Sequence, residues 1–216
     1  MPGTAATVGL RERHKHQRRE RILEAIRELL RARPNETPTV ERIAEVADVS
    51  PATVFNLVGP REQQWAALYD ALLRELDARL AITADEDPRK HARRLVGEAA
   101  QLFIADAAVF RHIVNNSGRS GSLVQENPIP LLRAALRRGQ ETGMLRPDLH
   151  IDALAGHIAM ACGGALRQWA SERISAAAFR ERVRFAVDVV FAASASDDHA
   201  AALHAPLERA SRRRAR

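Results

Sequence analysis

The sequence predicts an all-helical protein, on three observations. Apolar residues recur every three or four positions through most of the 216 residues, and no run alternates with the period of a strand. Hydrophobic residues make up 46% of the chain but aromatic ones only 4%, with Ala, Leu and Arg abundant, which favours helix over sheet. Turn-forming residues gather in a few short runs, such as Ala84–Pro88 and Asn115–Ser122, which punctuate the periodic segments.

Taken in order, the chain opens with a basic arm, residues 1–21, expected to be disordered. A first helix follows, with Ile22, Leu23, Ile26, Leu29 and Leu30 as its buried stripe and Pro34 as its stop. Two short helices fill Thr39–Val58. In the first, Val40, Ile43, Ala44 and Ala47 share one face behind the N-cap Thr39. In the second, Ser50 is the cap and Pro51 occupies the first turn, where a missing N–H costs little. Gly59-Pro60 breaks the chain before a long helix to about Ile82, whose apolar face includes Trp65, Leu68, Tyr69, Leu72 and Leu76. These elements make one unit, 22–83, bounded by the Ala84–Pro88 loop.

A second helical unit is expected over 88–193. Its helices are read at His91–Ala105, around Val109–Val114, at Pro128–Glu141 with Gly143 as the C′ stop, from an Asp148 cap to Trp169, and at Ser175–Ala193. Gly163 and Gly164 lie inside the penultimate helix at a cost of about 1 kcal/mol each relative to Ala, which suggests close approach, a kink or room for a ligand. The tail, 194–216, is basic and expected to be disordered.

Two short helices joined by the tight Ala47–Val49 turn form a helix-turn-helix, whose second helix is suited to a DNA major groove. An ordinary hairpin in a core is the alternative. It fits poorly, because Pro51, Ala52, Thr53 and Asn56 would bury almost nothing. Charge is distributed unevenly. The net is +6, but the first 21 residues carry six basic side chains against two acids, while 22–80 carries seven arginines against ten acids. The basic arm must therefore supply much of any attraction to phosphates.

The run RRERILEAIRELLRARP from Arg18 to Pro34, then TVERIAEVADVSPATVFNLVGPREQQWAALYDAL, resembles the N-terminal domain of the TetR family of bacterial transcriptional regulators. The order of motifs agrees from about Arg18 to Leu73: an opening amphipathic helix, Thr-Val, Ile-Ala, Val-Ser, Thr-aliphatic-aromatic, then a basic residue, here Arg61 in place of Lys. Phe55 stands where the family has Tyr, and Asn56 and Leu57 where it has aromatic residues or His. The resemblance implies a homodimer on a near-palindromic double-stranded DNA operator. Ala52, Thr53 and Asn56 would face bases, Thr39, Arg42, Arg61 and the arm with Arg18 and Arg19 would hold phosphates, and Ser50, Pro51 and Phe55 would complete the surface. It also implies a small-molecule effector and, most often, repression.

The last two long helices carry more apolar surface than one small unit needs, and a four-helix bundle between two copies is expected through Ile158, Cys162, Leu166, Val183, Val187 and Val190. An effector cavity, if present, would be walled by Phe103, Phe110, Val114, Leu136, Met160 and Trp169, mostly apolar, so an apolar ligand is favoured. The rival reading is a helix-turn-helix protein without a ligand, acting as an architectural or interaction module. An enzyme has little support: no phosphate loop, no H-E-x-x-H and no G-x-S-x-G is present, and no cofactor is implied. The single cysteine, Cys162, excludes an internal disulfide. His14 and His16 lack a third ligand nearby, so no metal site is expected. No apolar run reaches membrane-spanning length and no signal segment opens the chain, which fits a cytoplasmic protein.

Overall fold

The computed structural model describes residues 4–80, 86–116 and 129–214, and it is all-helical among them. Ala84 and Asp85 of the Ala84–Pro88 loop lie outside the described residues, as does all of Ser117–Ser122. The elements are α1 (Thr4–Ala32), α2 (Val40–Val46), α3 (Pro51–Val58), α4 (Arg61–Arg79), α5 (Pro88–Ala105), α6 (Ala107–Asn116), α7 (Ile129–Glu141), α8 (Ile151–Ala170), α9 (Ala176–Ala193), a short 3-10 turn at Asp197–His199, and α10 (Ala200–Arg214).

Helices α1, α2 and α3 pack on one another through Ile22, Leu23, Ile26, Leu30, Ile43, Ala44 and Val54, all essentially without solvent contact. Helix α4 leaves this unit and continues along α5. The second unit is a bundle in which α5, α7, α8 and α9 pack side by side, with Trp169, Phe179 and Phe191 fully buried. Helix α6 lies between the units, against α1 on one side and α8 on the other.

Two glycines set the turns. Gly143 takes φ +72 just past α7, as the sequence requires of a C′ stop, and Leu145 N–H then reaches the Gly139 carbonyl at 3.0 Å. Gly59 takes φ 81 and ψ −167, a region open in practice to glycine alone. Its carbonyl accepts from the buried Gln64 side chain at 3.0 Å, which fixes the start of α4. We expect Gly59→Ala to destabilise the fold by about 1–3 kcal/mol, measured by urea unfolding.

Three expectations are corrected. The arm is not disordered over its described length: α1 begins at Thr4. After Gly9 its Leu, Arg, Glu, Lys and Gln residues have high helix propensity, and extending a helix already nucleated by the packed Ile22–Leu30 stretch needs no new nucleus. The tail is also helical as far as Arg214 and tied down. Leu203 is buried, the Ser196 hydroxyl donates to the Gly143 carbonyl at 2.7 Å, and Leu145 and Ala195 form a lone antiparallel bridge. Asp148 does not cap α8; the N-cap is His150, without a side-chain bond, and Asp148 instead lies 3.7 Å from Arg146.

Candidate nucleic-acid interface and effector cavity

The helix-turn-helix is built as its sequence suggests. Thr39 caps α2 by accepting the Arg42 N–H at 3.2 Å, which leaves the hydroxyl proton for an outside acceptor such as a phosphate. The turn is a Schellman closure. Asp48 sits at C′ with φ 51, Asp48 N–H reaches the Glu45 carbonyl at 3.3 Å, and Val49 N–H reaches the Ala44 carbonyl at 3.0 Å. Ser50 caps α3 by accepting the Thr53 N–H at 3.1 Å, and the two hydroxyls meet at 2.8 Å.

Helix α3 buries Val54 and Val58, so Pro51, Ala52, Phe55 and Asn56 stand outward. Phe55 is 58% exposed. Thr53 is half-buried, with its hydroxyl engaged by the cap. The row offered to a partner is therefore Ala52, Phe55 and Asn56, flanked by the exposed Arg42 and Arg61. Arg42 pairs with Glu45 at 2.5 Å, both side chains more than half exposed, so a phosphate must compete with that carboxylate. On α1, Arg18 is exposed and Arg19 half-buried.

The two units meet at His112 of α6, only 5% exposed. Its Nδ1 lies 2.8 Å from the Pro34 carbonyl, which can only accept, so Nδ1 carries the proton. Nε2 lies 3.2 Å from the Thr37 hydroxyl, within hydrogen-bond reach. The Trp65 ring packs against the imidazole edge-on, at 5.6 Å and 66°. A second tie joins Arg31, near the end of α1, to Asp106, through bonds of 2.9 and 2.7 Å. The partners of His112 are a loop carbonyl and a hydroxyl 75 or more residues away, which periodicity does not reveal. Asp152 pairs with Arg133, and His157 Nδ1 lies 2.8 Å from the Ala153 carbonyl.

Inside the bundle is an apolar cavity of about 50 Å³. Helix α4 contributes Tyr69, Leu72 and Leu76; α5 contributes Leu95, Val96, Ala99, Ala100 and Phe103; the rest comes from Leu132, Ala159, Cys162, Gly163, Leu166, Phe179 and Val183. Burial pushes the Cys162 thiol up to about 12 and the Tyr69 phenol above its usual range, so both stay neutral. Of the six residues read as cavity wall, Phe103 alone lines it. Phe110 packs behind it at 4.9 Å, Leu136 and Trp169 are buried elsewhere in the core, Val114 is half-buried on α6, and Met160 faces outward at 54% exposure. Aromatic content suggested those positions, whereas the wall is mainly aliphatic and drawn from α4 and α5.

Most residues expected at the dimer contact are buried within the subunit. Ile158, Leu166, Val183 and Val187 are at most 3% exposed within one subunit, Cys162 and Leu166 face the cavity, and Val190 is half-buried. The outward apolar side of α8 and α9 is instead Met160, Phe185 and Val189, at 54%, 39% and 40% exposure. On α8, Gly156 and Gly164 open onto free space beside Met160, while Gly163 lines the cavity. Among the described residues no group of three or more His, Cys, Asp or Glu is placed to hold a metal, and no helix is long and apolar enough to cross a membrane.

No protein-family model matches the chain, and no curated protein matches it in sequence. Solved structures do match in fold. RolR in complex with resorcinol aligns with TM-score 0.63 at 17% identity, covering 88% of this chain and 93% of that one. A protein from Syntrophomonas wolfei assigned to the TetR family of transcriptional regulators aligns with TM-score 0.64 at 13% identity, covering 81% and 95%. NalD, the secondary repressor of the MexAB-OprM multidrug efflux pump in Pseudomonas aeruginosa, aligns with TM-score 0.56 at 18% identity, covering 84% and 99%. The chain thus has the all-α fold of TetR-type regulators over nearly their full length.

Proposed function

We propose that this chain is a TetR-family transcriptional regulator that binds a near-palindromic operator as a homodimer and releases it when a small, neutral, apolar molecule enters the bundle. The observation that carries the reading is a capped helix-turn-helix whose second helix turns Ala52, Phe55 and Asn56 outward, on a fold shared with such regulators. In this reading Asn56 supplies the donor–acceptor pair for a base edge, and Thr39, Arg42 and Arg61 hold the backbone. Two copies meet through Met160, Phe185 and Val189, and the two α3 helices lie one DNA turn apart. The chain acts in the cytoplasm and performs no catalysis.

Cavity size bears on the mechanism. A benzene-sized guest occupies a dry protein cavity of roughly 150 Å³, about three times the space present here. A ligand of that size must push the wall outward, and one wall is α4, which also carries Trp65 against His112. Displacing α4 therefore bears on the reading head and shifts the dimer away from the spacing that fits DNA. With no charged group among the lining residues, a charged effector would be desolvated without compensation. The structural neighbour RolR holds resorcinol, a small molecule of the size class this cavity would admit after expansion.

Selection of bound sequences from a random duplex pool tests the reading. A palindromic consensus is expected, and recovery of no consensus would reject it. On the recovered duplex, Phe55→Tyr should add at most one phosphate hydrogen bond, about 1 kcal/mol, and leave the consensus unchanged, as measured by competition binding. A shifted consensus would place the ring on bases rather than on the sugar-phosphate edge.

A further inference from the structure

The first helix is longer than its domain. Its 29 residues span about 44 Å, yet from residue 11, where side chains are described, the first fully buried one is Ile22. Residues 11–18 are all exposed. The C-terminal end of α1 is the end tied to the second unit, through Arg31 to Asp106 and through the Pro34 carbonyl to His112. The N-terminal end therefore projects away from the bundle, past α2 and α3.

Charge on this projection is not evenly spread. At 100° per residue, Arg11, Lys15 and Arg18 fall within a narrow stripe that continues into Ile22, with Arg19 at its edge. Both acids of the stretch, Glu12 and Glu20, fall outside that stripe. Since Ile22 belongs to the face of α1 that packs on α2 and α3, the basic stripe leaves the domain on the side where the reading head lies. The region behind it, 22–80, has a net charge of −3 and repels a polyanion in bulk.

We propose that the α1 extension is a rigid second DNA-contacting element, whose Arg11–Lys15–Arg18 stripe grips phosphates of the duplex beyond those reached by α2 and α3. The proposal rests on the DNA-binding reading above and adds an oriented helical prong to it. A helix holds these cations in register, so the ordering entropy a flexible arm would lose on binding is largely already spent.

The test measures binding to a labelled mixed-sequence duplex of about 40 base pairs as a function of salt, for full-length protein and three variants. Arg11→Gln with Lys15→Gln removes two charges from the stripe. Arg13→Gln with Arg21→Gln removes two that lie outside the stripe, Arg13 on the opposite face and Arg21 on the flank away from Arg19. Gln17→Pro keeps every charge and breaks the helix between Lys15 and Arg18, at a point where proline can serve as a new first turn and leave the packed part intact. At about 0.9 per contact, the stripe variant should lower the log–log salt slope of a dimer by about three to four units. The off-stripe variant should change it by less than the stripe variant does, by about one unit at most, and Gln17→Pro should weaken binding at least about tenfold at low salt. Equal slopes for the two double variants would overturn the oriented stripe, and unimpaired Gln17→Pro would overturn the rigid helix. If wild-type protein binds no duplex even at low salt, the DNA reading itself fails, which is a distinct result.

Discussion

Val187→Glu should prevent the subunit from folding, whereas Phe185→Glu, two residues away on α9, should yield a folded monomer. Val187 is wholly buried within one subunit, and a carboxylate there loses its hydration. The penalty is several kcal/mol, a large share of the roughly 5–15 kcal/mol that holds a typical domain together. Phe185 is 39% exposed, on the side of α9 that carries Val189. A charge there leaves the core alone but places two like charges near the two-fold axis of the proposed dimer. Sedimentation should show Phe185→Glu as a monomer with wild-type helical content. Its operator affinity should fall at least ~100-fold, because the second half-site is no longer held at high effective concentration. A dimeric Phe185→Glu protein would refute the interface, and a soluble, helical Val187→Glu protein would refute the burial argument.

His112→Ala should separate the thermal unfolding of the two units. The substitution removes the bonds to Pro34 and Thr37, each about 1 kcal/mol, and the edge-on contact with Trp65, about 0.5–1 kcal/mol. A loss of about 2–3 kcal/mol at this junction lowers the melting of a unit the size of α1–α4 by roughly 10–20 °C. Calorimetry should then show an early transition for the reading head and a late one for the bundle. Arg31→Ala is the control. Its guanidinium is 46% exposed, so the loss is about 0–1 kcal/mol and the single transition should persist. A single unshifted transition for His112→Ala would mean that α4 alone couples the units.

How much of this was legible in the sequence varied with the kind of physics involved. The caps Thr39 and Ser50, the Pro51 start and the Gly143 stop were readable, because each is a local rule about one backbone group. The buried stripes of α1 and α4 were readable because each helix has one apolar side. Helices α8 and α9 have apolar residues nearly all round, and periodicity cannot rank two stripes. Val187 and Phe185 are both plausible partners in a list, and only packing shows that one is inside. The cavity was missed for a related reason. Its wall is built by small and aliphatic residues converging from five helices, with Tyr69 and Leu72 on α4 as the part no single pattern could assign. The helical tail is hard to read because its basic composition resembles that of a solvated segment, and only packing shows the anchoring Leu203.

The His112 junction also sets terms for building chimaeras. A foreign reading head could be grafted onto this bundle with the seam at Gly59, so that α4 and its Trp65 stay with the host cavity. One of the two imidazole bonds goes to a main-chain carbonyl, at Pro34, which any donor loop of the same length supplies. The other needs a hydroxyl at the Thr37 position. Compatibility between a borrowed head and this sensor thus reduces to loop length, a glycine at the seam, and Ser or Thr at a single site, a rule short enough to screen donor sequences before any is made.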